Sequence, residues 1–297
     1  MTLKQWFNQE HVAGVVCTAP FIIGFFLFMI VPMLISLYYS FCDYNILSKP
    51  IWIGFGNYVK MFTDDPRFFK TIGVTFFFAL VSVPLRLIFA LLVAMLLKKV
   101  SKLSAVYRAV YYLPSIFGGS VAVAILWKRM FAADGVVNSL LKAIGLPGDV
   151  SWLGDTRTAI WTLIILAIWQ FGSSMLIFLS SLNQIPTTLY EAAGIDGANK
   201  VKQFFNITLP LLTPTIFFNL VMQMINGFLA FTQCYIITQG KPMDSTLFYT
   251  VYMYQQSFEF HNTGYGAALA WVMLLIIAAI TAFLFATKRF WVYEEGK

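Results

Sequence analysis

The chain has 297 residues, 59% of them apolar and only 11% charged, with a formal charge of +7. An average soluble domain carries roughly a quarter charged residues, so a water-soluble fold of this composition would lack the charges to cover its surface. The basic residues form short clusters beside apolar runs and no extended basic surface, which points to anchoring in a bilayer and away from nucleic acid.

A hydrocarbon core of about 30 Å takes ~20 helical residues to cross. Residues 1–11 carry Leu3, Trp6 and Phe7 at helical spacing, a short amphipathic segment suited to the membrane interface. The first predicted span is 12–37, and its outer loop runs to residue 65. That span is too long for a signal peptide, lacks a small-x-small cleavage pattern and continues through Pro32 into more apolar sequence, so it reads as retained. Further spans are predicted over 71–97, 106–127, 158–182, 211–231 and 266–286, with a tail at 288–297.

Six spans place both termini on one side. Lys98, Lys99, Lys102 and Arg108 cluster between spans two and three on that side, with Lys4, Lys200, Lys202, Lys288, Arg289 and Lys297. These cations sit in shorter connections than the basic residues opposite, and that density places both termini in the cytoplasm. The expected fold class is an all-α integral membrane protein of six transmembrane helices. The outer connections are rich in aromatics and carry turn signals at Asp64-Asp65-Pro66, Leu146-Pro147-Gly148 and Gln239-Gly240-Lys241-Pro242. They either receive a partner outside the membrane or cap the helical bundle.

Few residues inside the spans carry chemistry. Cys17, Cys42 and Cys234 are too scattered for a disulfide framework or a thiolate metal site, although Cys42 and Cys234 share a predicted side and a bridge between them stays open. The two histidines, His11 and His261, fall on opposite sides, so no metal site can be argued from them. Arg86, beside Pro84, sits mid-span, where an exposed charge costs at least ~2.5–3.5 kcal/mol. It is expected to face the bundle interior and pair with carbonyls freed near Pro84, with a substrate contact as the alternative.

In span five, Asn219, Gln223 and Asn226 are spaced by four and three residues, which sets three amides on one helical face. Amides in a membrane helix line a polar path or bond neighbouring helices. Phe228, Phe231 and Tyr235 follow and supply faces on which sugar C–H surfaces stack, so these six residues are a candidate sugar path, with helix–helix bonding the equal alternative. Gln170, Ser173 and Ser174 in span four are a second set, read as satisfying local backbone. Gly266 and Ala270 make a small-x-x-x-small pair for close helix packing. No G-x-x-x-x-G-K-[ST] loop is present, so the chain has no nucleotide site of that kind.

The segment 185–210 between spans four and five reads as two short helices. Pro186 suits a first helical turn, Thr188 and Glu191 match a capping box, and Asp196-Gly197 marks a stop. A second amphipathic piece bears Val201, Phe204 and Phe205. Ala192, Ala193 and Gly194 permit close approach to a partner, and Leu189 and Tyr190 are the expected apolar anchor.

Glu191-Ala192-Ala193, Gly197 and, after nine further residues, Ile207-x-Leu209-Pro210 resemble the EAA loop of binding-protein-dependent ATP-binding-cassette permeases. Ile185-Pro186 and Ile195-Asp196-Gly197-Ala198 are similar to the carbohydrate branch, the maltose and glycerol-phosphate type. So are Gly54-Phe55-x-Asn57-Tyr58, Tyr112-Leu113-Pro114 and Gly264-Tyr265-Gly266-Ala267-Ala268. Where that branch often has Asn-Thr entering span two, this chain has Val74-Thr75.

The resemblance implies a permease core over 66–287 and a cytoplasmic coupling helix seated on an ATPase through Tyr190, Glu191, Ala192, Ala193, Asp196 and Gly197. It implies a second, homologous permease, an ATPase dimer that uses ATP and Mg, and an extracellular or periplasmic sugar-binding protein, in the inner membrane of a prokaryote. The chain itself would bind no cofactor and catalyse no reaction. An importer of another solute is the nearest alternative: an anion path asks for more intramembrane cations than Arg86, and a cation path for acids. An ion-coupled secondary transporter would want carboxylates or histidines at membrane depth, and no Asp or Glu lies in any predicted span. An intramembrane enzyme would want a paired nucleophile and base, which the spans lack.

Overall fold

The computed structural model describes residues 10–98 and 104–293. Leu3, Trp6 and Phe7 of the expected interfacial segment, and the cations Lys4, Lys99, Lys102 and Lys297, lie outside the described residues. The chain is mostly helical and divides into two compact units, one of residues up to Asp65 with Met253–Met273, the other of Pro66–Tyr252 with the residues from Leu274.

In the first unit, α1 (Glu10–Phe25) and α2 (Val31–Ser40) run on through one wide turn at Phe26–Ile30, where the Val31 amide reaches back five residues to the Phe26 carbonyl. An 18-residue stretch within Gly14–Ser40 has a mean hydropathy of 2.5, and Phe28 is 84% exposed. Hydrocarbon is the solvent that such an uncovered apolar surface suits. A two-residue hairpin follows, β1 (Cys42–Asp43) antiparallel to β2 (Ile51–Trp52), and then α3 (Gly56–Thr63).

The Gly-Phe-x-Asn-Tyr run holds this corner together. Gly54 takes a left-handed turn at φ +59°. Buried Asn57 donates through Nδ2 to the carbonyls of Ser40 and Cys42, both at 2.9 Å, and the Tyr58 hydroxyl lies 2.8 Å from Ser40 Oγ. Gly264 lies against the hairpin, its amide donating to Tyr44 O at 2.9 Å, and a Cβ there would come within 2.2 Å of Cys42 O. Tyr265 donates to the Asp65 carboxylate, with Lys60 Nζ 5.1 Å from its ring centre. Gly266 does make a close contact, against Ser257 in the wide turn Gln255–Glu259, where an added Cβ would sit 1.8 Å from Oγ.

The second unit is organised by α4 (Pro66–Lys98). Its buried face, Phe68, Thr71, Thr75, Phe78, Ala79, Ser82, Val83, Leu87, Ala90, Ala94 and Leu97, recurs at the helical period. Small residues on that face let neighbouring backbones approach, the usual basis of helix association in a membrane. Against it pack α8 (Ala159–Trp169), α9 (Gly172–Gln184) and α12 (Leu209–Phe228). A Cβ on Gly227 of α12 would stand 3.4 Å from Ala79 Cβ and Val83 Cγ2.

The expected span 106–127 is broken. Helix α5 (Ser104–Phe117) and α6 (Val121–Met130) meet at 96°. Pro114 withholds an amide, Gly118-Gly119 has the weakest helical preference outside proline, and Ser120 caps a fresh start by accepting from Val123 N at 3.3 Å. The expected span 158–182 is also two helices, α8 and α9, bent by 41° at Gln170-Phe171. The described residues thus hold four helices long and apolar enough to cross a membrane, or up to six if each bent pair is one span.

Shorter pieces complete this unit: α7 (Val136–Ala143), α10 (Thr187–Ile195), α11 (Lys200–Gln203), α13 (Thr232–Ile237), the start of α14 (Tyr249–Tyr254) and the second half of α15 (Thr263–Trp291). Cys42 and Cys234 are free, buried thiols, each donating to a carbonyl of its own unit, Tyr38 O at 3.3 Å and Thr246 O at 3.0 Å.

Candidate functional site

A cavity of about 330 Å³ lies beside the two helix breaks. Unwound backbone at membrane depth is tolerated where it lines such a space and its polar groups find partners. Here they do. The Gln170 carbonyl, released by the break between α8 and α9, accepts from Ser115 Oγ at 2.8 Å and from Arg86 Nη2. Ser115 Oγ accepts in turn from Ser173 N at 3.0 Å. The Gly118 carbonyl, at the break between α5 and α6, accepts from the side-chain amides of Gln170 at 3.1 Å and Gln233 at 3.2 Å. Close approach is required for this arrangement: a Cβ on Gly172 would lie 2.3 Å from Tyr111 O.

The wall presents the amides of Gln170, Gln223, Asn226 and Gln233 and the hydroxyls of Ser82, Ser115 and Ser173. Phe78 and Phe248, ring centres 4.5 Å apart, supply apolar surface. Arg86 is the cationic member of the lining, and its partner is the Gln170 carbonyl, so it pairs with backbone as expected but with the break in another span and not with carbonyls near Pro84. Arrayed donors and acceptors with an aromatic face suit a polyhydroxylated solute.

Of the six expected path residues, Gln223 and Asn226 line this cavity, Gln223 donating to Ser174 Oγ at 3.2 Å. Asn219 is buried and bonds its own helix at Thr215 O, 3.0 Å. Phe228 is buried against Phe76, ring centres 4.8 Å apart, and Phe231 stacks on Tyr235 at 5.1 Å. Those four are not in the wall. Gln170 and Ser173, read from sequence as local backbone partners, line the cavity and also serve the breaks. Ser82, Ser115 and Gln233 carried no sequence signal, because their roles arise only where separate helices converge.

From segment 185–210, Ile185, Tyr190 and Ile207 pack in the cluster that holds Leu97 of α4, Leu182 of α9 and Leu212 of α12. Helix α10 has no side-chain cap at its start, so the expected box between Thr188 and Glu191 is not formed. Its end is as expected: Asp196 N bonds Ala192 O at 3.1 Å, Ala198 N bonds Ala193 O at 2.8 Å, and Gly197 adopts φ +76°, a left-handed stop that favours glycine. Asn199 caps α11 by accepting from Lys202 N at 2.9 Å.

Tyr190 turns toward the fold. Its hydroxyl is 2.9 Å from Thr208 Oγ1, and Lys98 Nζ lies 5.2 Å from its ring while donating to Leu182 O at 2.8 Å. Gln203 Nε2 reaches both Tyr190 O and Ala198 O at 3.3 Å. Glu191, Ala192, Asp196 and Gly197 are exposed, and Ala193 is half-buried. The large apolar positions exposed on α10 are Leu189 and Ile195, the latter 89% exposed and not anticipated as an anchor, and Val201 and Phe205 of the second piece are exposed as well.

Residues 53–290 match the family described as binding-protein-dependent transport system inner membrane component. The chain belongs to that family. This permease is 50% identical over 98% of its length to a probable ABC transporter permease of Bacillus subtilis, YesP, and covers 94% of that protein. It is 33% identical to the lactose transport system permease protein LacF of Rhizobium radiobacter, over 97% of each. It is 31% identical to the arabinooligosaccharides transport system permease protein AraP of Bacillus subtilis, over 94% of this chain and 89% of that one. The fold matches a chain of a bacterial ABC transporter involved in the import of the acidic polysaccharide alginate, with a TM-score of 0.83, 24% identity and coverage of 97% and 98%. A second structure of an alginate ABC transporter, in complex with an alginate pentasaccharide-bound periplasmic protein, matches with the same score at 23% identity. The permease is therefore a transport component of a membrane system and not its catalytic subunit.

Proposed function

We propose that this permease is one of two membrane subunits of an ATP-driven importer that carries a sugar or oligosaccharide across the cytoplasmic membrane. The observation that carries the reading is the cavity: amides and hydroxyls around an aromatic face, set at two broken helices, in a chain whose relatives are named for lactose and arabinooligosaccharides. Gln223 and Asn226 are its path residues from the expected set, joined by Gln170 and Gln233.

In this proposal the bent pairs α5–α6 and α8–α9 each make one span, giving six, with both termini in the cytoplasm. Residues 12–65 are a first span and outer loop, 66–287 the permease core, and 288–297 a cytoplasmic tail. Segment 185–210 seats on an ATPase dimer that uses ATP and Mg. Tyr190 braces α10 against α12, and Glu191, Ala192, Ala193, Asp196 and Gly197 face the partner with Leu189 and Ile195. Closure of the ATPases would draw α10 with it and turn the cavity outward to receive cargo from a periplasmic or extracellular sugar-binding protein; hydrolysis would reset it.

The test is co-purification of the tagged permease with its neighbouring gene products, followed by ATPase stimulation by the binding protein. Glu191→Arg and Gly197→Trp are expected to abolish stimulation while the membrane bundle stays folded by circular dichroism. A permease that recruits no ATPase, yet moves solute in vesicles under an ion gradient, would be a secondary transporter.

A further inference from the structure

We infer that the cargo is an acidic sugar, an oligosaccharide bearing a uronate, and that Arg86 reads its carboxylate. The inference rests on the proposed sugar path and names the class of sugar. Among the cavity-lining residues there is no Asp or Glu, so the guanidinium stands in the wall without a counter-charge. Its Nη2 is committed to the Gln170 carbonyl, and its Nε is buried with no partner.

A latch on the Gln170 carbonyl does not require a cation. Ser115 Oγ already donates to that oxygen at 2.8 Å, so a neutral side chain could share the bond without the cost of holding a charge inside the membrane. What a guanidinium adds is a fixed charge, which a carboxylate in the cavity would neutralise. A cationic cargo would be repelled, and a neutral one would leave the charge uncompensated.

A single cation is also the right number. An inorganic anion stripped of water asks for several positive groups, whereas a uronate presents one carboxylate on a body of hydroxyls. The four amides and three hydroxyls of the same wall answer the hydroxyls, and Arg86 answers the acid.

The experiment uses the whole transporter in proteoliposomes, with its sister permease, ATPase and binding protein. Uronate disaccharides containing glucuronate, galacturonate or mannuronate are each paired with the counterpart in which the carboxylate is reduced to a hydroxymethyl group. Maltose, lactose and arabinobiose complete the panel, and every sugar is supplied at a concentration that saturates the binding protein. The wild-type transporter is expected to import at least one uronate about tenfold faster than its reduced counterpart, the scale of a hydrogen bond to a charged group. Arg86→Gln is expected to bring that ratio toward one, and Arg86→Lys to leave it in between. An unchanged ratio in Arg86→Gln overturns the role of Arg86. Should that variant fail to assemble, the wild-type ratio decides, and a ratio near one overturns the inference. Import of neutral sugars alone also overturns it while leaving the sugar reading intact; import of no sugar defeats the sugar reading itself.

Discussion

At the scale of single residues, the sharpest constraints sit where a side chain is absent or where one amide serves two carbonyls. Gly172 lies under Tyr111, and the nearest atoms to an added methyl are backbone that cannot swing aside. Gly172→Ala should therefore destabilise the permease by about 1–3 kcal/mol, as overpacking does. Gly73, with nothing within 4 Å of its would-be Cβ, provides the contrast, and Gly73→Ala should be neutral or mildly stabilising. Thermal unfolding in detergent, read by tryptophan fluorescence, separates the two. Asn57 is the other case. Replacing it by Leu removes both bonds to the Ser40 and Cys42 carbonyls and should cost roughly 1–3 kcal/mol. Limited proteolysis of the 41–65 connection should speed up accordingly.

Elements are where the sequence was read well in some places and poorly in others. The long spans were legible because a run such as that of α4 has no rival explanation, and the stop at Asp196-Gly197 because left-handed turns favour glycine. The break at Gly118-Gly119-Ser120 was written in the chain too, yet a hydropathy window averages over three residues and reads through them. The cavity wall was half legible. Gln223 and Asn226 share a helical face, which spacing reveals, whereas Ser115 meets the Gln170 carbonyl, and Gln233 the Gly118 carbonyl, only through the folding of three separate elements. The capping box at Thr188 matched a pattern that the local geometry does not use.

The element most open to test is α10. Tyr190→Phe keeps the ring beside Lys98 and loses only the bond to Thr208, so the permease should fold normally but couple loosely. The expected outcome is unchanged ATPase binding with several-fold less sugar imported per ATP hydrolysed. Ile195→Glu places a charge on an outward apolar position and should do the reverse, weakening ATPase recruitment in a pull-down while leaving the stability to unfolding within about 0.5 kcal/mol of wild type.

For the whole molecule, the decisive question is which ends face which compartment. Among the cysteines, Cys17 alone is exposed, so Cys17→Ala supplies a quiet background for labelling. A cysteine at Glu191 in that background should react with a membrane-impermeant maleimide in inside-out vesicles and not in intact cells, and one at Leu47 should do the opposite. Equal labelling of both from one side would break the six-span arrangement.

The Gly118 carbonyl has a final consequence. It accepts two amides, from Gln170 and from Gln233, brought by different parts of the chain. Either lesion alone leaves the oxygen satisfied, so Gln170→Leu and Gln233→Leu should together cost more than the sum of their separate effects. Such redundancy shapes descent as well as stability. A lineage can discard one of these glutamines with little penalty to stability, but from that moment the other is no longer free to drift.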